Sequence, residues 1–430
     1  MEEQILKENR EAHRRLIKEL RTRNHVNVVF IVSSLTMWQH QGIYELMAEN
    51  PHFNPTIIFA PFLVYSEAEN RATLIQLKKY FGERNTPFFV YDEMDFSKRS
   101  FREQFQPDVL FYPQWYSCLY DANIDISSFF DRLICIIPYG VCITEEMFCN
   151  YDANNLAWKQ YQTSPIHLQI AREISYCKGD NMVIVGYPKA DIYCQNVVFD
   201  PWKPQGKKKK RIIWAPHFTI CADITPLYFS HFLEMHEVMW NLAVSYRDTV
   251  QFAFKPHPRL LTELYKYPGW GKERTDAYYK RWADGENTQL ETGAYEELFK
   301  TSDALIHDCG SFAAEYHYVQ KPVMYISGDI EKLKKDQKFS PLGCAAIDAS
   351  YIGSTEKDFC SFIDNVVIAG QDTMKEEREY FLRKELCQPK DFTSSELIYM
   401  DICRELWVDN KYSPLSLKQK FLKLCHQLFQ

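Results

Sequence analysis

The chain has 430 residues, of which 46% are hydrophobic and 15% aromatic, and a formal net charge of -7 at pH 7. This length and apolar content allow more than one sizeable core and exclude an intrinsically disordered chain. The pI near 6.0, without a long basic stretch interleaved with aromatic residues, argues against general nucleic-acid binding, so no nucleic-acid partner is expected.

Cysteine usage and targeting signals indicate a compartment. The 13 cysteines are scattered along the chain, none forms a CxxC pair, and several lie in apolar runs such as 133–138, which favours buried reduced thiols. The N-terminal segment is charged rather than a signal peptide, and no apolar run approaches the roughly 20 residues that cross a bilayer. We therefore expect a cytoplasmic protein, at most associated with the inner face of the cytoplasmic membrane.

The first half of the chain alternates strand-like and helix-like segments. Residues 1–25 are predicted to form a charged lead-in helix, either solvated or docked on a membrane or a partner. An N-terminal domain over residues 26–200 follows, with strands predicted at 26–33, 56–60, 88–91, 109–112, 133–137 and 182–185. This alternation predicts a doubly wound parallel sheet. The loop after the first strand lacks GxGxxG, so no dinucleotide fingerprint is present.

Loops at the carboxyl ends of parallel strands build the functional site of such a sheet. In the N-terminal domain these loops carry His40, Trp115, Tyr139 and Gly140. For each of these residues taken alone, a structural role is favoured over a functional one.

A second α/β domain is predicted over residues 201–385. The polar, basic segment 201–210 (PWKPQGKKKK) lies at its start and marks the boundary, and the lysines at 207–210 form a solvated run or attract anionic groups. Further strands are predicted at 211–216, 250–255, 304–307, 323–326 and 345–347, and a helical tail at 386–430. The predicted architecture is α/β, with two doubly wound domains facing a cleft.

Two loops of the second domain carry basic and histidine side chains. His217 follows the first strand, and Lys255, His257 and Arg259 follow the second within five residues, with a proline on each side of His257. The prolines restrict the backbone, and three potential donors so close together suit a pyrophosphate. A structural loop is the alternative; a metal site is not expected, because no second histidine or carboxylate lies close by.

A turn at residues 308–311 lies between a predicted strand and a predicted helix over 312–319. Gly310 allows a tight turn and Ser311 is a good N-cap, so free amides of the next helical turn would bind phosphate. Glu315, one helical turn later, is placed to bond ribose hydroxyls. Ordinary punctuation between strand and helix is the alternative interpretation.

The C-terminal segment 411–430 contains no acidic residue. Leu417, Phe421, Leu424 and Leu428 fall on one helical face, with lysines elsewhere on the helix. This face either docks on the protein or makes peripheral contact with an anionic membrane surface.

Four motifs, in order, resemble a known family. They are RIIWAP at 211–216, KPHP at 255–258, SDALIHD at 302–308 with Gly310 and Ser311, and KPVMY at 321–325; GYPKAD at 186–191 adds a fifth segment. The set is similar to the CDP-glycerol glycerophosphotransferase family, which includes teichoic-acid primases and polymerases and related capsule enzymes. The resemblance covers roughly residues 130 to 330.

The resemblance implies a GT-B fold, in which the second domain holds most of the nucleotide. It implies that His257, Gly310 and Ser311 meet the pyrophosphate, with Asp308 in the matching turn, and that Glu315 meets the ribose. The implied reaction moves glycerol phosphate from a nucleotide-activated donor such as CDP-glycerol to a hydroxyl of a cell-surface glycan or lipid-linked acceptor. We expect no metal or cofactor to be required, because Lys255, His257 and Arg259 supply the positive field.

One departure concerns the catalytic base. Where the family carries a Trp-His-Gly segment, this chain has Pro138, Tyr139 and Gly140. Tyrosine is a poor base at neutral pH, so His40 is the alternative, with Glu145 or Glu146 behind it. A GT-B glycosyltransferase using a nucleotide sugar and a catalytically inactive nucleotide- or glycan-binding subunit stay open as alternative functions.

Overall fold

The structure is a computed structural model that describes residues 3–145, 150–197, 199–221, 228–386, 389 and 391–407. The chain divides into two units. Unit 1 contains Met1–Gly140, Phe148–Asp191 and Leu386–Gln430, and unit 2 contains Val141–Met147 and Ile192–Glu385.

Each unit is built on a parallel sheet. The strands are β1 Val26–Val32, β2 Phe53–Phe59, β3 Phe89–Val90, β4 Val109–Tyr112, β5 Leu133–Ile136, β6 Lys159–Gln162, β7 Met182–Ile184, β8 Lys210–Ala215, β9 Val250–Phe254, β10 Thr288–Leu290, β11 Ala304–His307, β12 Val323–Ile326 and β13 Tyr351–Gly353. Unit 1 has the strand order β3-β2-β1-β4-β5-β6-β7, and unit 2 has β10-β9-β8-β11-β12-β13. In both sheets the order reverses beside the first strand, which confirms the predicted doubly wound α/β fold.

Helices connect the strands. They are α1 Glu3–Leu20, α2 Gln41–Ala48, α3 Glu67–Glu83, α4 Phe101–Phe105, α5 Asp152–Leu156, α6 Pro165–Ile174, α7 Phe232–Ser245, α8 Leu260–Lys266, α9 Gly271–Asp284, α10 Glu296–Thr301, α11 Gly310–Glu315, α12 Ile330–Asp336, α13 Pro341–Asp348, α14 Glu356–Ser361, α15 Lys375–Lys384 and α16 Ser394–Leu406. Short 3₁₀ segments lie at Leu35–Met37, Tyr91–Glu93, Ile126–Phe129, Pro188–Cys194 and Tyr316–Val319, and a π-helical segment lies at Phe362–Ile368.

Four strand assignments differ from the sequence-based prediction. Strands β6 and β10 were not predicted, because their glutamines make them polar, and the three-residue strand β13 was not predicted either. The prediction of a strand at 345–347 is wrong: these residues belong to α13, which Ser340 caps by accepting the N–H of Gly343. A short apolar run does not distinguish a buried strand from a buried helix.

Helix α1 is docked on unit 1 through polar as well as apolar contacts. Asn9, His13, Leu16 and Leu20 are buried, and the Arg10 guanidinium donates to backbone carbonyls of residues 155 and 157 over 2.9 and 3.0 Å. The expectation of a solvated lead-in helix is therefore wrong.

Among the described residues, no helix is both long and apolar enough to cross a bilayer. The predicted amphipathic segment 411–430 lies outside the described residues.

Candidate functional site

The predicted donor-site loops of unit 2 follow three neighbouring strands. In the sheet, β9 pairs with β8 and β8 pairs with β11, all in parallel. The carboxyl ends of these strands therefore lie at one edge, and the loops that carry His217, His257 and Asp308 leave from that edge. This is the position where ligands bind in open α/β sheets.

His257 is partly exposed and held by its own loop. Its backbone N–H donates to the carbonyl of Pro216 over 3.0 Å, and its ring Nδ1 accepts the backbone N–H of Arg259 over 3.2 Å. Because Nδ1 is an acceptor, the neutral ring carries its proton on Nε2. Burial, together with the charges of His217, Lys255 and Arg259, holds the pKa of His257 well below its usual range. At neutral pH the ring is a neutral N–H donor.

His217 and Arg259 complete a cluster around Phe218. The rings of His217 and His257 have centroids 5.0 Å apart, and the Phe218 ring lies within 4.5 Å of His217 and 4.4 Å of His257. The Arg259 guanidinium carbon lies 4.3 Å from the centroid of Phe218. We call His217, Phe218, His257 and Arg259 the Phe218 cluster; it brings together three of the predicted donor-binding side chains.

Asp308 is buried beside this cluster. Its Oδ1 accepts the backbone N–H of His217, and its Oδ2 accepts the backbone N–H of His231, each over 2.6 Å. Burial raises the pKa of Asp308 to about 6, opposed by His231 and by the two amides. Both oxygens are thus committed to backbone groups, and the predicted contact between Asp308 and a donor phosphate stays a prediction.

The turn after β11 is not built as predicted. Cys309, rather than Ser311, is the N-cap of α11, and its side chain makes no capping bond. Gly310 does not have a positive φ, and an added Cβ would make an ordinary contact at 3.6 Å with the ring of Phe229. The expectations of a Ser311 cap and of a glycine-dependent turn are wrong. The first-turn amides of Gly310 and Ser311 still lack intrahelical partners, and Ser311 is exposed.

Glu315 and Lys255 belong to a neighbouring buried group. The Tyr295 hydroxyl donates to the two carboxylate oxygens of Glu315 over 2.8 and 3.0 Å, and the Tyr193 hydroxyl donates over 3.4 Å. The Lys255 ammonium lies 5.9 Å from the Tyr295 ring centroid, and its side chain is buried. The contact of Glu315 with ribose and that of Lys255 with phosphate stay predictions.

In unit 1 the two predicted catalytic residues have contrasting surroundings. Tyr139, in the loop after β5, is 39% exposed; its N–H donates to the carbonyl of Pro113, and its carbonyl accepts the hydroxyl of Tyr187. Tyr139 therefore has solvent-accessible surface without any rearrangement of the core.

His40 has no exposed surface. Its ring packs against Phe30, Trp38 and Phe111 at centroid distances of 5.8, 5.4 and 5.7 Å, and burial lowers its pKa to about 3. An acceptor hydroxyl could reach this ring only if the aromatic packing opened, so this geometry does not support the prediction of His40 as the base. Glu145 is exposed in unit 2, and Glu146 lies outside the described residues.

Several residues that hold the site were not predicted from the sequence. Thr219 bonds to the His217 ring, His231 bonds to Asp308, and Tyr193 and Tyr295 bond to Glu315. Thr219, two residues after His217, was the only one close enough in sequence to be suspected. Among the described residues no group of three or more His, Cys, Asp or Glu side chains is arranged to hold a metal ion.

Comparisons with known proteins agree with the predicted family and fold. The family model described as CDP-glycerol:poly(glycerophosphate) glycerophosphotransferase matches residues 144–404. A comparison with curated protein sequences finds no significant match.

Among solved structures, the wall teichoic acid polymerase TagF matches with a TM-score of 0.58 and 14% identity, covering 94% of this chain and 99% of TagF. A TagF variant soaked with CDPG matches with a TM-score of 0.56 and 14% identity, covering 94% of this chain and 98% of the variant. The UDP co-structure of S. aureus MnaA matches with a TM-score of 0.55 and 11% identity, covering 89% of this chain and 97% of MnaA. At these identities the matches concern the fold, and they confirm the predicted GT-B-like architecture.

Proposed function

Because the chain belongs to the CDP-glycerol:poly(glycerophosphate) glycerophosphotransferase family, we propose that it transfers glycerol phosphate from CDP-glycerol to a hydroxyl of a cell-surface glycan or a lipid-linked glycan. Family membership makes the chain a transferase that uses a nucleotide-activated donor, as the sequence predicted. The identity of the donor and that of the acceptor are the proposed parts.

The observation that carries the proposal is the Phe218 cluster. His217 and His257 are neutral at physiological pH, with low pKa values. The His257 ring, whose Nδ1 accepts the Arg259 N–H, therefore offers its Nε2–H without requiring a proton from solution. Arg259 adds a positive charge, and its guanidinium also pairs with the carboxylate of Glu263 over 3.3 Å. Each hydrogen bond from such donors to a phosphate oxygen contributes about 1.5–3 kcal/mol, and a few contacts suffice for micromolar affinity.

The donors are also held in place before a ligand arrives. Prolines at 256 and 258 flank His257, the Arg259 amide fixes its ring, and Phe218 supports the Arg259 guanidinium. Donors that need no reorganisation are the ones that stabilise charge developing on a departing phosphate.

The proposed reaction breaks one phosphoanhydride bond. The acceptor hydroxyl oxygen attacks the phosphorus that carries glycerol, the P–O–P bond breaks, and CMP leaves with the bonding electron pair. The hydroxyl proton passes to a base; of the two predicted candidates, Tyr139 is partly exposed and His40 is fully buried. The Phe218 cluster supplies the positive field at the leaving phosphate, so the proposed step requires no metal or cofactor.

Tyr139 supports a second candidate function. A tyrosine ordinarily titrates near pH 10, and it stands where the family carries histidine. A subunit that binds the nucleotide or a glycan without turnover is therefore the alternative to an active transferase.

The released nucleotide discriminates among these functions. Transfer of glycerol phosphate releases CMP, whereas transfer of a sugar from a nucleotide sugar breaks a C–O bond and releases a nucleoside diphosphate. Purified chain would be screened by thermal shift and calorimetry against CDP-glycerol, CDP, UDP and nucleotide sugars, and then assayed for product nucleotide with glycan acceptors. Acceptor-dependent CMP supports the proposal, a nucleoside diphosphate supports glycosyl transfer, and binding without either supports the inactive subunit. Absence of binding to every nucleotide would overturn the proposal.

Contact of residues 411–430 with the cytoplasmic membrane face would bring the enzyme to a lipid-linked acceptor. This proposal depends on the basic, amphipathic sequence of that segment. Cosedimentation of the full chain with anionic vesicles, and its loss on truncation after residue 410, would support it.

A further inference from the structure

We propose that Asp308 is a positioning residue, which clamps the two ends of the loop that runs from His217 to His231 and thereby fixes His217 within the Phe218 cluster. The proposal rests on the proposed function, because it concerns how the donor site is held. It assigns Asp308 a role through other residues rather than through contact with the donor.

One carboxylate bridges the two ends of this loop. Oδ1 accepts the N–H of His217, where the chain leaves β8, and Oδ2 accepts the N–H of His231, where the chain enters α7, both over 2.6 Å. Asp308 itself has no exposed surface and follows β11 directly, so its position is set by the sheet. Hydrogen bonds to an ionised acceptor are among the stronger ones in proteins.

A second link joins the clamp to the His217 side chain. Thr219 Oγ1 accepts the N–H of Phe229 over 2.9 Å and is hydrogen-bonded to Nδ1 of His217 over 2.8 Å. The Phe229 ring lies 5.4 Å from the His217 ring and packs beside Gly310. The two ends of the loop, the His217 ring and the first turn of α11 are thus joined by contacts that begin at Asp308.

The clamp requires the ionised form of Asp308. A carboxylate presents an acceptor to each amide, whereas a protonated carboxyl turns one oxygen into a donor that faces an N–H. Besides the two amides, the groups that act on this carboxylate are the His231 ring, 3.9 Å away, and the side chains of Tyr325, Cys309 and Tyr228, whose own pKa values it raises. With a pKa of about 6, Asp308 is mostly ionised at pH 7 and above, half ionised near pH 6, and the clamp opens as the pH falls further.

The test is the affinity for CDP-glycerol, measured by calorimetry between pH 5 and 8. CDP-glycerol is the appropriate probe, because its pyrophosphate has no terminal phosphate that titrates near pH 6. In the wild type we expect affinity to fall below pH 6. In Asp308→Asn we expect affinity roughly ten-fold or more weaker at pH 7.5, without the change near pH 6, because an amide has one acceptor oxygen and does not titrate.

Asp303→Asn is the matched control. The carboxylate of Asp303 accepts the backbone N–H of Arg211 over 2.8 Å, so it also ties β11 to β8, but at the amino end of both strands. We expect this variant to keep the wild-type affinity and pH dependence. An equal loss in Asp303→Asn would show that any loosening of these strands weakens binding, and would overturn the specific role of Asp308.

A second measurement separates this proposal from the proposed function. Hydrogen exchange at the His217 and His231 amides needs no ligand, and we expect both to exchange faster in Asp308→Asn than in the wild type. If the wild type binds no CDP-glycerol, the proposed function fails while the exchange data still test the clamp. Unchanged exchange, or wild-type affinity with the same pH dependence, would overturn the clamp.

A variant outside Asp308 covers the case in which Asp308→Asn does not fold. Thr219→Val removes the bonds of Thr219 to the His217 ring and to the Phe229 N–H and leaves the Asp308 amide bonds in place. We expect weaker CDP-glycerol binding with the change near pH 6 retained. Wild-type affinity in Thr219→Val would overturn the link between the loop and His217.

Discussion

The backbone N–H of Arg259 donates to Nδ1 of His257 over 3.2 Å, and this bond places the proton of the neutral ring on Nε2. The same local motif occurs two strands away in the sheet, where the N–H of Cys309 donates to Nδ1 of His307 over 3.1 Å. His257 is partly exposed in the Phe218 cluster, whereas His307 is buried against Tyr325. The two histidines therefore form a matched pair for separating function from stability.

Replacing His257 by Phe keeps an aromatic ring and removes the Nε2–H donor. We expect turnover to CMP to fall by about 10²–10³, the usual loss when a donor to developing charge is removed. The readout is kcat for CMP release, with the thermal midpoint measured in parallel.

His307→Phe is the control. It leaves the Cys309 N–H without its acceptor and should cost about 1–3 kcal/mol of stability, yet retain turnover within a few fold. Wild-type turnover in His257→Phe would contradict the role of that ring.

The variant His40→Phe tests the predicted role of His40 as the catalytic base. Both ring nitrogens of His40 are buried without a hydrogen-bond partner among the described residues, so an apolar ring should raise the free energy of unfolding by about 1 kcal/mol or more. We expect turnover to be retained. A folded His40→Phe protein without turnover would instead identify His40 as the base, whereas loss of turnover in Tyr139→Phe would identify the phenol.

Acid should unfold the protein steeply because several histidines of the described residues are held in neutral form by burial. Burial lowers the pKa of His13 to about 4 and those of His40, His307 and His317 to about 3. Below pH 6.5 the unfolded chain binds protons that the folded chain does not. The stabilisation is therefore complete above pH 6.5 and falls with decreasing pH, by up to about 1.4 kcal/mol per pH unit for each ring.

The measurement is urea unfolding between pH 7 and 5, and His40→Phe supplies its control. In that variant the free energy of unfolding should fall less steeply with decreasing pH, by the contribution of one histidine ring. Asp308 has the opposite effect, because its pKa is raised in the folded protein. Between the pKa of an unfolded aspartate and about pH 6, it increases the free energy of unfolding as the pH falls. A free energy of unfolding that does not change over this range would contradict the buried neutral histidines.

The strands predicted most accurately are continuous apolar runs. Strands β4, β11 and β12 were predicted at their observed bounds. Their sequences are apolar throughout because runs such as VLFY at 109–112 are buried on both faces. It missed β6 because Gln160 and Gln162 are polar. Their burial depends on partners elsewhere, as in the bond from the Gln160 amide to the carbonyl of Asn154 over 2.6 Å. Local patterns do not contain such partners.

In the candidate site, too, local sequence patterns were predictive, whereas contacts from distant segments were not predicted. His217, His257 and Arg259 were found because prolines and basic residues occur together in two short loops. The commitment of Asp308 to His231 and the burial of Glu315 under Tyr295 depend on contacts between segments far apart in the chain. Helix α1 was expected to be solvated for a similar reason, because its buried Asn9 and His13 are polar.

A buried ion pair in unit 2 supplies a further test of stability. Arg378, on α15, has no exposed surface and donates from both terminal nitrogens to the carboxylate of Asp372, which also accepts the hydroxyl of Tyr351 over 3.0 Å. We expect Asp372→Asn to lower the free energy of unfolding by about 3–5 kcal/mol, because it leaves a buried guanidinium charge unpaired.

Glu379→Gln on the same helix removes an exposed pair with Lys375 and should cost less than about 1 kcal/mol. Urea unfolding compares the two variants, and Asp372→Asn combined with Arg378→Met should recover much of the loss. Equal effects of the two single variants would mean that the Arg378 charge does not need its partner.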